Sequence, residues 1–225
     1  MVQQSNTGSN SNGPERLRRR ADARRREILA ASARVFRRRG YAETSMREIA
    51  AEADLSPGNL YYYFSGKHEL LYFCQDQALA RMQSALLVAR SSGTSVLEQT
   101  RSVIESHVRC MLDEFEGATA HLQVEALPER LRRQIIDKRD GYEQAIRELI
   151  TSGIEAGEFA RCDTSLVTRA ILGAANWSAM WFRPEGEHSA SGVAEALANY
   201  LVGGLVNGTD LTGQNTHPSF SRNKQ

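Results

Sequence analysis

Cysteine is scarce in this chain of 225 residues, and the three present, Cys74, Cys110 and Cys162, are odd in number with no C-x-x-C spacing. That pattern argues against a disulfide scaffold and for a reducing compartment. No stretch approaches the roughly 20 uninterrupted apolar residues of a membrane-spanning helix, so no membrane partner is expected. The opening MVQQSNTGSNSNG carries no charge and almost nothing apolar. It lacks the core of a secretory signal, and residues 1–15 are expected to be a disordered tail of a cytoplasmic protein. No alternating run demands a sheet, and there is no internal repeat. Gly-x-Ser-x-Gly, HExxH and phosphate-loop patterns are also missing, so the chain is not expected to be an enzyme or to need a cofactor.

What is present is ordinary in bulk and uneven in placement. Hydrophobic residues make up 41% and charged residues 24%, the usage of a soluble globular protein. The formal charge is only +1, yet residues 14–70 hold 13 Lys and Arg against 8 Asp and Glu, while residues 71–225 hold 15 against 19. Positive charge thus gathers in the first third, where a polyanion would be met.

Apolar residues recur at helical spacing throughout. Within RLRRRADARRREILAASARVFRRRG, Ile28, Ala31, Ser32, Val35 and Phe36 form one face, and Gly40 supplies a stop. Ser45 stands three residues before Glu48, the spacing at which hydroxyl and carboxylate satisfy each other's backbone amides. Met46, Ile49, Ala50 and Ala53 give the short helix that follows an apolar side. After the turn Asp54-Leu55-Ser56, Pro57 opens a third helix to about Phe64, with Leu60 and Phe64 turned inward. Further helices are expected over 67–90, 95–116, 118–126, 129–156, 164–182 and 189–205, broken at Ser91-Ser92-Gly93, Pro128, Gly157 and Arg183-Pro184-Glu185-Gly186.

Two short helices joined by a tight turn are the outline of a helix-turn-helix. A two-turn helix cannot bury itself alone. If it leans inward through Leu60 and Phe64, then Pro57, Gly58, Asn59, Tyr61, Tyr62 and Tyr63 are left to enter a major groove about 12 Å wide. Pro57 and Gly58 permit close approach, and Asn59 can make the two-point contact that distinguishes adenine. The tyrosine hydroxyls and the Lys67 ammonium suit phosphate oxygens, as do amides near Thr44 and Ser45. Three consecutive tyrosines span about 200° of arc at 3.6 residues per turn, so they cannot all be core. Arg16, Arg18, Arg19, Arg20, Arg24, Arg25 and Arg26 form either an arm that reaches backbone or minor groove, or a disordered basic tail with nonspecific attraction. Arg37, Arg38 and Arg39 read as a solvated helix end.

The run TSMREIAAEADLSPGNLYYYFSGKHELL resembles the DNA-binding segment of the TetR (tetracycline repressor) family. The resemblance is carried by Leu60-Tyr61-Tyr62-Tyr63-Phe64 with Lys67 and by the lead-in from Ile49 to Ser56, and covers about residues 24–71. It implies double-stranded DNA as partner, with base contacts from Arg47, Pro57, Gly58, Asn59 and Tyr62 and phosphate contacts from Thr44, Ser45, Tyr61, Tyr63 and Lys67. Ser56, which opens the recognition helix, belongs to the same DNA-facing set. The fold class implied is all-α with about nine helices. A three-helix DNA-binding domain over 16–68 precedes a helical ligand-binding and dimerisation domain over 69–206, and a disordered tail follows over 207–225.

One recognition helix reads few base pairs, so two copies about 34–36 Å apart are expected. Leu166, Ala170, Ile171, Ala174 and Trp181, with Val193, Leu197, Tyr200 and Leu201, are the candidate homodimer interface. The competing use of these stripes is to close a monomer core. The resemblance also implies an effector pocket, for which Met82, Leu86, His107, Met111, Leu122, Tyr142, Asn176 and Trp177 are candidates; each is otherwise ordinary core. The segment NWSAMWFRPEGE from Asn176 resembles TetR regulators that answer to acyl-coenzyme A thioesters, which makes an acyl-CoA the expected small-molecule effector and release of a repressed palindromic operator the expected outcome. The rival is a dimer of the same fold without a sensor, controlled by a protein partner or by abundance. His107 and Cys110, three residues apart with His121 farther on, read as core packing and not as a metal site.

Overall fold

The structure, a computed structural model, describes residues 12–112 and 123–207. Among these residues there are eight α-helices and no strand: α1 (Asn12–Arg39), α2 (Met46–Glu52), α3 (Pro57–Tyr63), α4 (Lys67–Ser91), α5 (Val96–Leu112), α6 (Glu129–Glu155), α7 (Thr164–Trp181) and α8 (Ala190–Asn207). The helix expected over 118–126 is a single 3-10 turn at Val124–Ala126; residues 118–122 lie outside the described residues. Helix α1 begins at Asn12, inside the segment expected to be tail. Residues 12–78 with 123–136 form one compact unit, and 79–112 with 137–207 form another.

In the first unit, α1 packs on α2 and α2 on α3. The face of α1 anticipated from spacing is the one that is buried: Ile28, Ala31, Ser32, Val35 and Phe36. Opposite it, Ile49 and Ala50 of α2 and Leu60 of α3 are buried as well. Ion pairs add a second tie. Arg34 Nε and an Arg38 amino group both donate at 2.8 Å to the Glu52 carboxylate, and Arg39 pairs with Glu48. The Arg34 and Arg38 hydrogen bonds hold the Glu52 carboxyl below its ordinary range. Arg38 and Arg39 are exposed, as expected of a solvated helix end, and in addition clasp α2.

Backbone ends are closed locally. The Ser45 backbone N–H donates to Glu48 at 2.8 Å while the Ser45 hydroxyl accepts the Glu48 N–H at 3.3 Å, the reciprocal box its spacing foretold. Asp54 takes a left-handed φ of 52°, which an aspartate tolerates better than most side chains, and Leu55 N–H reaches back to Ala50 O at 2.8 Å. The Ser56 hydroxyl then accepts the Asn59 N–H at 3.2 Å, with Pro57 at the first helical position.

The loop between α1 and α2 is held by a lysine. The Lys67 ammonium donates to Tyr41 O at 2.8 Å, Ala42 O at 3.1 Å and Thr44 O at 2.9 Å, and sits 4.5 Å from the centroid of the Tyr41 ring. The Thr44 hydroxyl donates to Gly40 O at 2.7 Å, and Gly40 itself has the positive φ of 79° expected of a helix stop.

In the second unit α5 packs on α7 and α8. Its start is capped from far along the chain, because the Glu158 carboxylate accepts the Val96 and Leu97 N–H groups at 3.2 and 2.8 Å. Asp163 caps α7 by accepting from Ser165 and Leu166 at 2.9 and 3.0 Å. Gly157, with φ of 75°, turns the chain after α6.

A Lys67→Met variant should lose about 2 kcal/mol of stability, within the usual range for hydrogen bonds to a charged group. A urea midpoint equal to wild type would show that water serves the three carbonyls as well as the ammonium does.

Candidate nucleic-acid interface

The two faces of α3 divide as its length requires. Leu60 and Phe64 are buried, whereas Ser56, Pro57, Gly58, Asn59, Tyr61 and Tyr62 are exposed, Tyr62 by 83%. Tyr63 is half-buried, its ring edge-on to that of Tyr62 at 5.2 Å between centroids. Ser45 and Arg47 of the preceding helix are exposed too. Gly58 is informative: a Cβ built there would meet nothing within 4 Å, and its φ is not positive. The fold therefore does not require glycine at this position, although glycine weakens a helix by about 1 kcal/mol relative to alanine. The missing side chain leaves room for something outside the chain.

Two of the expected phosphate donors are already engaged within the chain. Thr44 is buried and its hydroxyl and backbone N–H both donate within the chain, to Gly40 O and Tyr41 O. The Lys67 ammonium has three donors and directs them at three carbonyls. Sequence could not show this, because all three acceptors are backbone atoms more than twenty positions away.

The second unit sorts the remaining candidates differently from expectation. Met82, Leu86, His107, Met111 and Tyr142 are buried and Asn176 is half-buried, but Trp177 is 63% exposed and so does not line an interior pocket. Leu122 lies outside the described residues. His107 joins three helices: Nε2 is 3.1 Å from Asn176 Oδ1 on α7, and Nδ1 is 3.3 Å from the Tyr142 hydroxyl on α6. Because the Asn176 oxygen can only accept, Nε2 carries the proton and Nδ1 accepts from Tyr142. Burial pushes the His107 pKa down to about 4, against the Asn176 bond that raises it, and burial pushes the Tyr142 hydroxyl up. Both are neutral near pH 7. No group of three metal-ligating side chains occurs among the described residues, and no helix there is long and apolar enough to cross a membrane.

Of the candidate interface residues, Leu166, Ala170, Trp181 and Tyr200 are exposed, Tyr200 by 80%. Ala174, Leu197 and Leu201 are half-buried. Ile171 and Val193 are buried in the subunit's own core and leave the interface set, since apolar stripes broader than one face must turn partly inward. Trp177 and Met180 join the exposed face of α7 instead. An open groove of about 450 Å³ lies beside it, lined by Trp181, His188, Ser189, Gly192, Val193 and Leu197 among others.

A helix-turn-helix head followed by a separate bundle of long helices defines a class of all-helical DNA-binding regulators. Residues 28–72 match the family described as "Bacterial regulatory proteins, tetR family", and residues 93–205 match "Tetracyclin repressor-like, C-terminal domain". The chain belongs to the TetR family of transcriptional regulators. It is 26% identical over 202 residues to the HTH-type transcriptional repressor KstR2 of Mycobacterium tuberculosis, covering 85% of this chain and 98% of that one. The crystal structure of the TetR family regulator PfmR from Thermus thermophilus superposes with a TM-score of 0.72 at 32% identity, over 79% of this chain and 98% of PfmR. AibR, crystallised with isovaleryl coenzyme A and operator DNA, shares the fold with a TM-score of 0.68 at 23% identity, over 83% of this chain and all (100%) of AibR.

The buried imidazole has a measurable consequence. His107 titrates near 6.5 when unfolded and about 4 when folded, so between those values the unfolded chain binds the extra proton. Its contribution therefore leaves stability unaffected above pH 6.5 and lowers it as pH falls to 4, by about 3 kcal/mol in all. Urea midpoints at pH 7 and pH 4.5 should converge in a His107→Gln variant relative to wild type; an identical acid dependence in both proteins would contradict the burial argument.

Proposed function

We propose that the chain is a homodimeric repressor that grips a palindromic operator through α3 and lets go when an acyl-CoA thioester binds its helical unit. The observation that carries this is the outward face of α3, where a bulk-free start, an amide side chain and exposed tyrosines are held on a short helix whose other face is core. Arg47, Pro57, Gly58, Asn59 and Tyr62 are the base-contacting set, and Ser45, Tyr61 and Tyr63 the phosphate-contacting set, with Ser56 holding the helix start. Thr44 and Lys67 serve by shaping the loop ahead of α2. Operator binding places the protein in the cytoplasm with the chromosome.

Dimerisation is supported by the surface of α7 and α8. Leu166, Trp177, Met180, Trp181 and Tyr200 are large apolar side chains exposed on two helices that also carry Ala170 and Gly204 in the open. Such a concentration is unusual on a soluble monomer and typical of a subunit interface. A second copy also meets the need for two recognition helices one turn of DNA apart. The sensor reading rests on neutral, interlinked His107, Tyr142 and Asn176 in a unit whose other buried residues include Met82, Leu86 and Met111. A few polar groups within apolar surroundings suit an acyl chain with a thioester carbonyl. The names of relatives agree: a repressor, a fatty acid metabolism regulator of Bacillus subtilis, and a fold neighbour holding an acyl-CoA.

Selection of duplexes from a randomised pool should yield a palindrome, and Asn59→Ala should relax the preference at one position in each half-site, worth about 1–3 kcal/mol. An unchanged base profile would remove Asn59 from the reading set. Titration with a panel of acyl-CoA thioesters should raise the thermal midpoint and release the duplex; silence across the panel would discard the acyl-CoA sensor and leave DNA binding standing.

A further inference from the structure

We propose that the N-terminal part of α1 is a second DNA contact, a basic helix that lies on phosphates flanking the sequence read by α3. This deepens the DNA-binding reading above and rests on it.

Residues 15–22 are all exposed, including Leu17 at 67%, so packing does not explain why helix α1 extends through them. Over residues 15–26 there are seven arginines and two acids, Glu15 and Asp22, an excess of 7 − 2 = 5 positive charges. Arg16, Arg20 and Arg24 follow one another at four-residue steps and make a single stripe. Like charges at that spacing weaken an isolated helix unless counter-charge is supplied. Among the described residues, the ion pairs in this stretch are Arg19 with Glu15, exposed at 2.5 Å, and Arg24 with Glu27 at 2.6 Å. The side chains of Arg16, Arg18, Arg20, Arg25 and Arg26 have no partner among those residues.

Arg24 fixes where the stripe begins. Its other amino group donates at 3.2 Å to both Ala53 O and Asp54 O, the turn that leads directly into α3. The stripe therefore starts beside the recognition helix and runs away from it through Arg20 and Arg16. From Arg24 to Arg16 the helix rises about 12 Å at 1.5 Å per residue, close to four base pairs of duplex at about 3.4 Å each. Leu17 is the one large apolar side chain exposed there, which gives the arm no apolar face for a lipid surface and leaves a polyanion as the fitting partner.

The test compares full-length protein with two double variants on duplexes that wild type selects from a randomised pool. Arg16→Ala/Arg20→Ala removes the two outer members of the stripe; Arg18→Ala/Arg25→Ala removes equal charge from the opposite face of the helix. The first should flatten the dependence of log affinity on log salt by about 1.8 per bound subunit, from two lost phosphate contacts. It should also shorten the hydroxyl-radical footprint by about four base pairs at its outer edge, while the second variant keeps the wild-type footprint. Equal slope changes with unaltered footprints would reduce the arm to diffuse attraction and overturn the proposal, as would a wild-type slope in the first variant. If wild type selects no duplex at all, the DNA reading fails and takes this inference with it; a wild type that binds, with an indifferent stripe, sinks the arm alone.

Discussion

A seven-residue helix cannot hold its shape in water by its own hydrogen bonds, because nucleation costs more than two turns return. Helix α3 exists because Leu60 and Phe64 are anchored, Ser56 closes its first turn and the left-handed Asp54 aims it. The rest of the first unit keeps that anchorage still. Buried α1 residues form the floor, Glu52 and Glu48 take arginines from α1, and Lys67 gathers the carbonyls of the α1–α2 loop. A surface that must meet a rigid duplex gains from this, since side chains on a fixed frame lose little freedom on contact.

Most of this head could be read from residue spacing. The capping box at Ser45 and Glu48, the Ser-Pro start at 56–57, the Gly40 stop and the buried stripe of α1 are all local patterns, and all stand where expected. What escaped was the non-local chemistry. Lys67 looked like a phosphate donor because sequence shows the ammonium and not the backbone oxygens, more than twenty positions away, that it binds. Arg38 and Arg39 are exposed as a helix end should be, but their ion pairs could not be read because the acidic partners sit on another helix. The same limit hid Glu158, which caps α5 from about sixty positions downstream.

The larger unit was legible in its helices and less so in its faces. Apolar stripes on α7 and α8 are wide enough to serve both a core and an outer surface, and spacing alone does not say which residue serves which. Ile171 and Val193 turn inward, Trp177 turns outward, and a tryptophan expected against a ligand stands with Leu166 and Trp181 instead. The polar link from His107 to Tyr142 and Asn176 joins residues 35 and 69 positions apart on three successive helices, so only the folded arrangement reveals it.

Gly58 separates two properties that mutation usually ties together. Where a side chain both packs and recognises, changing what is recognised disturbs the packing. At position 58 the chain leaves open space for a Cβ, and replacing glycine by alanine would favour the helix. On the operator contact proposed for it, a change there would alter what is recognised without disturbing the packing beneath, so recognition and scaffold are free to vary separately.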